Sequence, residues 1–237
     1  QSDKGDTIVP IALGTYGNLS VITAPPKTKK TFFVSLLASA YLSGKNIYSG
    51  QIKGHRGNGD LIHFDTEQGN WHASKVFKRP LDMDTSIKED KYHTFALRTV
   101  GFKERLEFIE YYLKEKIKEP SLVIIDGVAD LCGDVNNIEQ SNNLVSALMR
   151  ISTQCNVHII CVIHQNYGSQ KLGTGHLGSA LEKKAETVIS LEANTVNKDW
   201  ITVKCGRSRG YSFETFSFEV NKKGLPTIVG DLYDPLK

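Results

Sequence analysis

Short apolar runs alternate along the chain with longer stretches in which apolar residues recur every third or fourth position. Leu19–Thr23, Leu61–Asp65, Leu122–Asp126 and Val157–Ile163 are continuous or nearly continuous apolar runs of strand length. Such runs suit strands buried on both faces, as in a parallel sheet. Thr31–Leu42 places Phe33, Leu36, Leu37, Ala40 and Tyr41 on one helical face. Trp71–Lys78 reads as a helix stopping at Pro80, and Lys103–Lys118 as a helix closed by Pro120. Glu139–Gln154 reads as a helix with Leu144, Leu148 and Ile151 inward. Thr94–Thr99 is a further expected strand, while glycine-rich Gly50–Gly59 and Asn166–His176 read as loops. Val188–Leu191, Trp200–Cys205 and Phe213–Val220 are expected to close the sheet, the last two as an antiparallel extension. The alternation predicts an α/β fold, a mainly parallel sheet flanked by helices with C-terminal antiparallel strands.

Composition narrows this only slightly. With 237 residues, 40% of them hydrophobic, the chain suits a single α/β domain over 1–237, with its core over about 10–230. A net charge of +3 neither requires nor excludes nucleic acid, although a dedicated duplex-binding module would be more basic. Cys132, Cys155, Cys161 and Cys205 lack zinc-site spacing and read as reduced thiols of a cytoplasmic protein. No apolar run reaches membrane-spanning length, so no membrane partner is expected. Gln1–Asp6 is polar, and a chain that begins without Met suggests an excised piece.

Chemistry gathers where strands end. Ala24-Pro25-Pro26-Lys27-Thr28-Lys29-Lys30-Thr31, followed by Phe32, lies between the first strand and the first helix. A phosphate-cradling G-x-x-x-x-G-K-[ST] turn belongs there, with backbone N–H groups and the helix N-terminus facing an anion. Lys30 then reaches the phosphates and the Thr31 hydroxyl holds a metal ion. Both glycines are replaced, by Ala24 and Lys29, so a basic helix start without nucleotide is the competing reading. Asp126 ends an apolar strand and suits a water-linked metal carboxylate, as many such strand ends would. Glu67, two residues past Asp65, suits polarisation of an attacking water; a solvated glutamate at a helix start is the alternative.

The ordered set ITAPPKTKKTFF, LIHFDTEQ, LVIIDGVADL, IICVIHQN, GTGHLGSALEKKAETVI and VKCGRSRG resembles the RecA/DnaB-type ATPase superfamily. Within it, the set is most similar to RepA-like helicase ATPases of bacterial plasmids and mobile elements. The resemblance implies ATP and Mg2+ as ligands, Glu67 as catalytic carboxylate, and Thr31 and Asp126 as the metal-linked residues. It implies Gln165 as γ-phosphate sensor, with His164 able to share the role. Lys204, Arg207 and Arg209 resemble the basic fingers that this superfamily inserts into a neighbour's site, which requires a homo-oligomer, a ring or filament. A solvated basic turn is the alternative. Gly175–Glu182 resembles the motif after the sensor, and Asn166–Thr174 a DNA-contacting loop whose one cation is Lys171 and whose Tyr167 suits base stacking.

Two functions follow as expectations. One is a helicase or mobilisation and replication factor coupled to single-stranded DNA. The other is a nucleotide-switched assembly or regulatory ATPase without DNA translocation, favoured by the weak basic balance and the sparse loop cations; acidic Asp130 and Asp134 add little phosphate affinity. A small-molecule kinase fits the HFDTEQ and VIHQN segments poorly.

Overall fold

The computed structural model describes residues 11–47, 52–55, 59–165 and 173–229. Its frame is one nine-stranded sheet. In chain order the strands are β1 (Leu19–Ala24), β4 (Asp60–Asp65), β5 (Tyr92–Ala96), β6 (Pro120–Asp126), β7 (His158–His164), β8 (Thr187–Ala193), β9 (Ile201–Ser208), β10 (Phe216–Val220) and β11 (Pro226–Ile228). Two short strands, β2 (Asn46–Ile47) and β3 (Ile52–Lys53), pair separately as an antiparallel hairpin. The tip of the loop expected at Gly50–Gly59 lies partly outside the described residues.

The sheet order is β11-β10-β9-β8-β1-β7-β6-β4-β5. Strands β8 through β5 in that order pair parallel, and β9, β10 and β11 add antiparallel. The predicted class is therefore the observed one, with β11 as an added strand that its three residues are too short to announce.

Among the described residues five α-helices cover the sheet: α1 (Lys30–Ser43), α2 (Asn70–Met83), α3 (Phe102–Tyr111), α4 (Ile138–Gln154) and α5 (Gly175–Lys184). Two cores result, one per face. Ile109, Leu144, Leu148 and Leu181 pack with Val21, Phe64 and Ile125 on one side. Phe33, Val34, Leu36 and Leu37 of α1 pack with Ile22, Leu61, Ile124 and Phe218 on the other. Helix α1 is buried nearly all round, between the sheet, α2 and β11. It stops where Gly44 adopts φ 63° and its N–H closes on the Tyr41 carbonyl.

Several boundaries differ from expectation. Helix α2 runs through Pro80 to Met83. Proline in the last turn forfeits one hydrogen bond, and here its ring is buried. Strand β5 ends at Ala96, earlier than Thr99, because Val100 N–H turns back onto the Leu97 carbonyl. The helix expected to reach Lys118 leaves α-geometry at Tyr111, continues as a π-type turn over Tyr112–Lys116, and Pro120 opens β6. Proline tolerates a strand's first residue because it needs no ladder donor there. His176, read as loop, is helical in α5.

Candidate nucleotide site

Parallel register puts the chemistry on one sheet edge. Ala24 pairs with His164, and Asp65 with Asp126, at the carboxyl ends of four neighbouring strands. Ligands of open α/β sheets bind outside such ends.

The turn from β1 into α1 takes up left-handed backbone without glycine. Lys27 (φ 66°) and Lys29 (φ 56°) occupy the left-handed region. Each such non-glycine residue costs roughly 1–2 kcal/mol. Local bonds hold the turn: Thr28 Oγ1 donates to the Pro25 carbonyl at 2.5 Å, and Lys29 Nζ to the Asp199 carbonyl at 2.8 Å. The N–H groups of Phe32 and Phe33 close on Lys29 O and start the helix. Lys29→Gly is expected to keep the turn and nucleotide affinity, since relief of the strained φ offsets the lost tether. Thermal denaturation should then change by no more than about 1 kcal/mol; collapse of the fold would contradict this reading of the loop.

Lys30, the first residue of α1, is 8% exposed. Its ammonium lies 2.8 Å from His164 Nδ1. An ammonium only donates, so Nδ1 accepts and Nε2 carries the proton of a neutral imidazole. That Nε2 faces Glu67 Oε1 at 3.4 Å. One imidazole thus bridges the loop lysine and the strand-end glutamate. Burial lowers the Lys30 pKa, with Glu67 and Asp126 pulling it back up. The His164 hydrogen bond is the main cause holding the Glu67 carboxyl below its ordinary value, against burial.

Asp65 sets the direction of Glu67. Its Oδ1 accepts the N–H groups of Glu67 and Gln68 at 3.0 and 2.8 Å. Thr66 bonds the Asp126 carbonyl by its N–H at 2.9 Å, and the Gly127 carbonyl by its hydroxyl at 2.8 Å, locking the ends of β4 and β6 together. Gly127 (φ 109°) leaves the room Glu67 uses: a Cβ there would lie 2.6 Å from Glu67 Cγ and Oε1. Gly127→Ala is therefore expected to push Glu67 off position. Turnover should fall at least about tenfold while folding weakens by about 1–3 kcal/mol. Steady-state rates beside a melting curve check it, and unchanged turnover would show that Glu67's placement does not matter.

Asp126 is buried, and burial is the main cause raising its pKa to about 7, with Glu67 and Asp65 adding to it. Lys30 and a hydrogen bond with Thr31 oppose the rise. Asp126 Oδ2 and Asp65 Oδ2 are buried without a hydrogen-bond partner. Orphaned carboxylate oxygens beside a threonine hydroxyl fit a hard divalent cation that takes its remaining ligands from water and phosphate, the habit of Mg2+. Among the described residues no group of three or more His, Cys, Asp or Glu forms a self-sufficient metal cage.

These groups line a cleft of about 400 Å³. Lys27, Thr28, Lys29, Lys30, Thr31 and Phe32 contribute from the turn and α1. Glu67, Gln68 and a face of α2 (His72, Lys75, Val76, Arg79) contribute from the β4 side, together with Asp126 and His164. Ala24, Pro25 and Pro26 are not part of this lining. Nor is Gln165, which is buried, bonds Thr23 Oγ1 through Nε2 at 3.3 Å, and leaves the cleft-facing place to His164. The α2 face was open to sequence reading, since positions 72, 75, 76 and 79 have helical spacing after Glu67. Gly127 carried no comparable signal.

The basic C-terminal residues lie elsewhere. Arg207 pairs with Val188 and Ser208 with Thr187, while Thr187 pairs with Ser20 near the start of β1. Arg207 and Arg209 are exposed, at the sheet edge opposite the cleft. Arg209 donates to the Lys184 carbonyl at 3.0 Å. Lys204 is within β9 and pairs with Glu192 at 3.0 Å. Tyr167 and Lys171 lie outside the described residues, but the segment that follows them is anchored to the site. Thr174 bonds the His164 carbonyl through both N–H and Oγ1 at 2.8 Å, and Gly173 N–H donates to Glu182 at 2.8 Å.

A strand-to-helix turn carrying a buried lysine, acidic strand ends beside it, and a parallel sheet extended by antiparallel strands have the architecture of a RecA/DnaB-type P-loop domain. The chain belongs to the AAA domain family, whose profile matches residues 13–170. No curated protein matches it. Among solved structures it is similar to a RadB recombinase, with TM-score 0.62 and 15% identity over 92% of this chain and 93% of that one. It is also similar to a second solved structure, that of an ATPase domain, with TM-score 0.60 and 15% identity over 91% of this chain and 86% of that one. At such identity the likeness is one of fold.

Proposed function

We propose that the cleft binds ATP with Mg2+ and hydrolyses it, and that the chain is a single-stranded-DNA-coupled helicase or a mobilisation or replication factor of a mobile element, of RepA-like kind. The observation that carries the ATPase part is the convergence of Lys30, His164, Glu67 and Asp126 on one edge of the sheet. Lys30 and the backbone N–H groups of the phosphate turn hold the phosphates. Glu67 orients and deprotonates water, and His164 holds Glu67 in place. Thr31 and Asp126 hold the Mg2+, which when bound neutralises charge on the phosphate oxygens. Gln165, beneath Thr23, acts in this reading as the sensor through its backbone neighbour His164.

The DNA-coupled part draws support from the Thr174–His164 bonds, which join the site to the foot of the 166–172 segment. Assembly as a ring or filament draws support from sheet polarity. Arg207 and Arg209 lie on the edge opposite their own cleft, so as fingers they would serve a neighbour's. The whole 1–237 chain acts as one domain in this reading, in the cytoplasm. Among the described residues no helix is long and apolar enough to cross a membrane. ATPase rate with and without single-stranded DNA at low salt tests it. Stimulation is expected; no stimulation and no binding would leave the nucleotide-switched assembly protein, which the acidic Asp130 beside Thr66 favours.

A further inference from the structure

Among the described residues, Arg79 is a cation without a counter-charge. It is half-buried on α2 and lines the cleft. Its guanidinium lies 3.9 Å over the Phe32 ring, and Nη1 donates to Ser35 Oγ at 2.9 Å and to the Thr31 carbonyl at 3.4 Å. Those acceptors are neutral. Among the described residues no carboxylate comes within ion-pair distance of Arg79, and the donors on Nε and Nη2 meet no acceptor. The ionisable group nearest in effect is Tyr92, whose phenol burial keeps protonated and so uncharged. Arg105, the other half-buried arginine among the described residues, is served quite differently. It bonds the carbonyls of Leu97, Arg98 and Asp130 and lies 3.9 Å from the Asp130 carboxylate. Holding a guanidinium partly out of water without an anion is costly, and such a group in a cleft points to an anionic ligand.

We propose that Arg79 is a phosphate-binding residue acting in cis, whose free guanidinium edge contacts the terminal phosphate of a bound nucleoside triphosphate. The inference rests on the reading of the cleft as a nucleotide site. Its position selects the terminal phosphate. Arg79 touches the first turn of α1 at Thr31 and rides on the helix that begins three residues after Glu67, the side on which the attacking water belongs. Stacking on Phe32 fixes the plane of the fork, so little side-chain freedom is lost on binding. A lysine could supply the charge but neither the stack nor the fork.

Calorimetric titration of a non-hydrolysable ATP analogue and of ADP, each with MgCl2, into wild type, Arg79→Ala, Arg79→Lys and Ser35→Ala separates the possibilities. Arg79→Ala is expected to weaken the triphosphate analogue about tenfold to a hundredfold, the size of a lost charged hydrogen bond. ADP affinity should stay within about twofold. Arg79→Lys should fall between, with a melting temperature near wild type. Ser35→Ala, which breaks the same helix-to-helix bond but leaves the charge, should bind both nucleotides as wild type does. Equal losses for both nucleotides, or a loss that Ser35→Ala reproduces, would make Arg79 a helix clamp and overturn the proposal. No loss in any variant would overturn it too. Wild type binding neither nucleotide would instead overturn the nucleotide reading on which it stands.

Discussion

Lys30→Ala is expected to abolish ATP turnover and to weaken nucleotide binding strongly. The substitution removes the one ammonium that the structure buries at the head of α1, 2.8 Å from His164. Loss of a single preorganised charge-stabilising donor costs about 10²–10³ in rate. Here the same group also serves ground-state binding, so affinity should fall with it. Burial already lowers the Lys30 pKa, with Glu67 and Asp126 raising it back. The ammonium is therefore poised for an incoming polyanion, whose charge would hold it protonated. A coupled-enzyme ATPase assay and a binding titration on the same preparation check both effects. Retained turnover would move the active site away from this turn altogether.

Glu67→Gln should separate chemistry from binding. The amide keeps the size and the backbone-set position of the side chain, because Asp65 Oδ1 directs residue 67 through its N–H and not through its carboxylate. A glutamine cannot take a proton from water. Loss of general-base assistance costs about 10²–10⁴ in rate. Nucleotide affinity should be kept or improved, since a negative charge leaves a site that receives phosphates. The substitution also weakens the bridge from Lys30 through His164 to residue 67. Without nucleotide that bridge holds the lysine on the imidazole, and binding must exchange this contact for one to phosphate. Single-turnover rates with equilibrium binding measure both sides. Equal loss of affinity and rate would make Glu67 a binding residue and not a base.

Much of this site was legible because apolar runs ending in charged residues say both where a strand lies and where its chemistry emerges. Leu61–Asp65 and Leu122–Asp126 each end within the strand the structure shows, and register carries Asp65 against Asp126. The phosphate turn was legible by position but not by pattern. The left-handed conformations of Lys27 and Lys29 are imposed by the turn's surroundings, against local preference, and no propensity foretells them. Between the neighbours His164 and Gln165, alternation along the end of β7 decides which side chain meets the cleft, and a one-residue difference reverses the answer. Arg79 fell one residue past the expected helix end at Lys78, and its lack of a charged partner was not legible, because pairing is a property of contacts between α1 and α2. The edge elements were the least legible. Strand β11 has three residues, and β5 pairs on one side only, so neither carries the doubly buried signature of the interior strands.

The site works as an ATPase only if a nucleoside triphosphate seats its phosphates against the glycine-less turn from β1 to α1. A crystal structure with a non-hydrolysable ATP analogue and Mg2+ decides it. Phosphate density is expected against the backbone N–H groups of residues 27–31, with Lys30 drawn from His164 onto the phosphates and Mg2+ beside Thr31 and Asp126. Phosphate density elsewhere, with the Lys30–His164 contact intact, would contradict it.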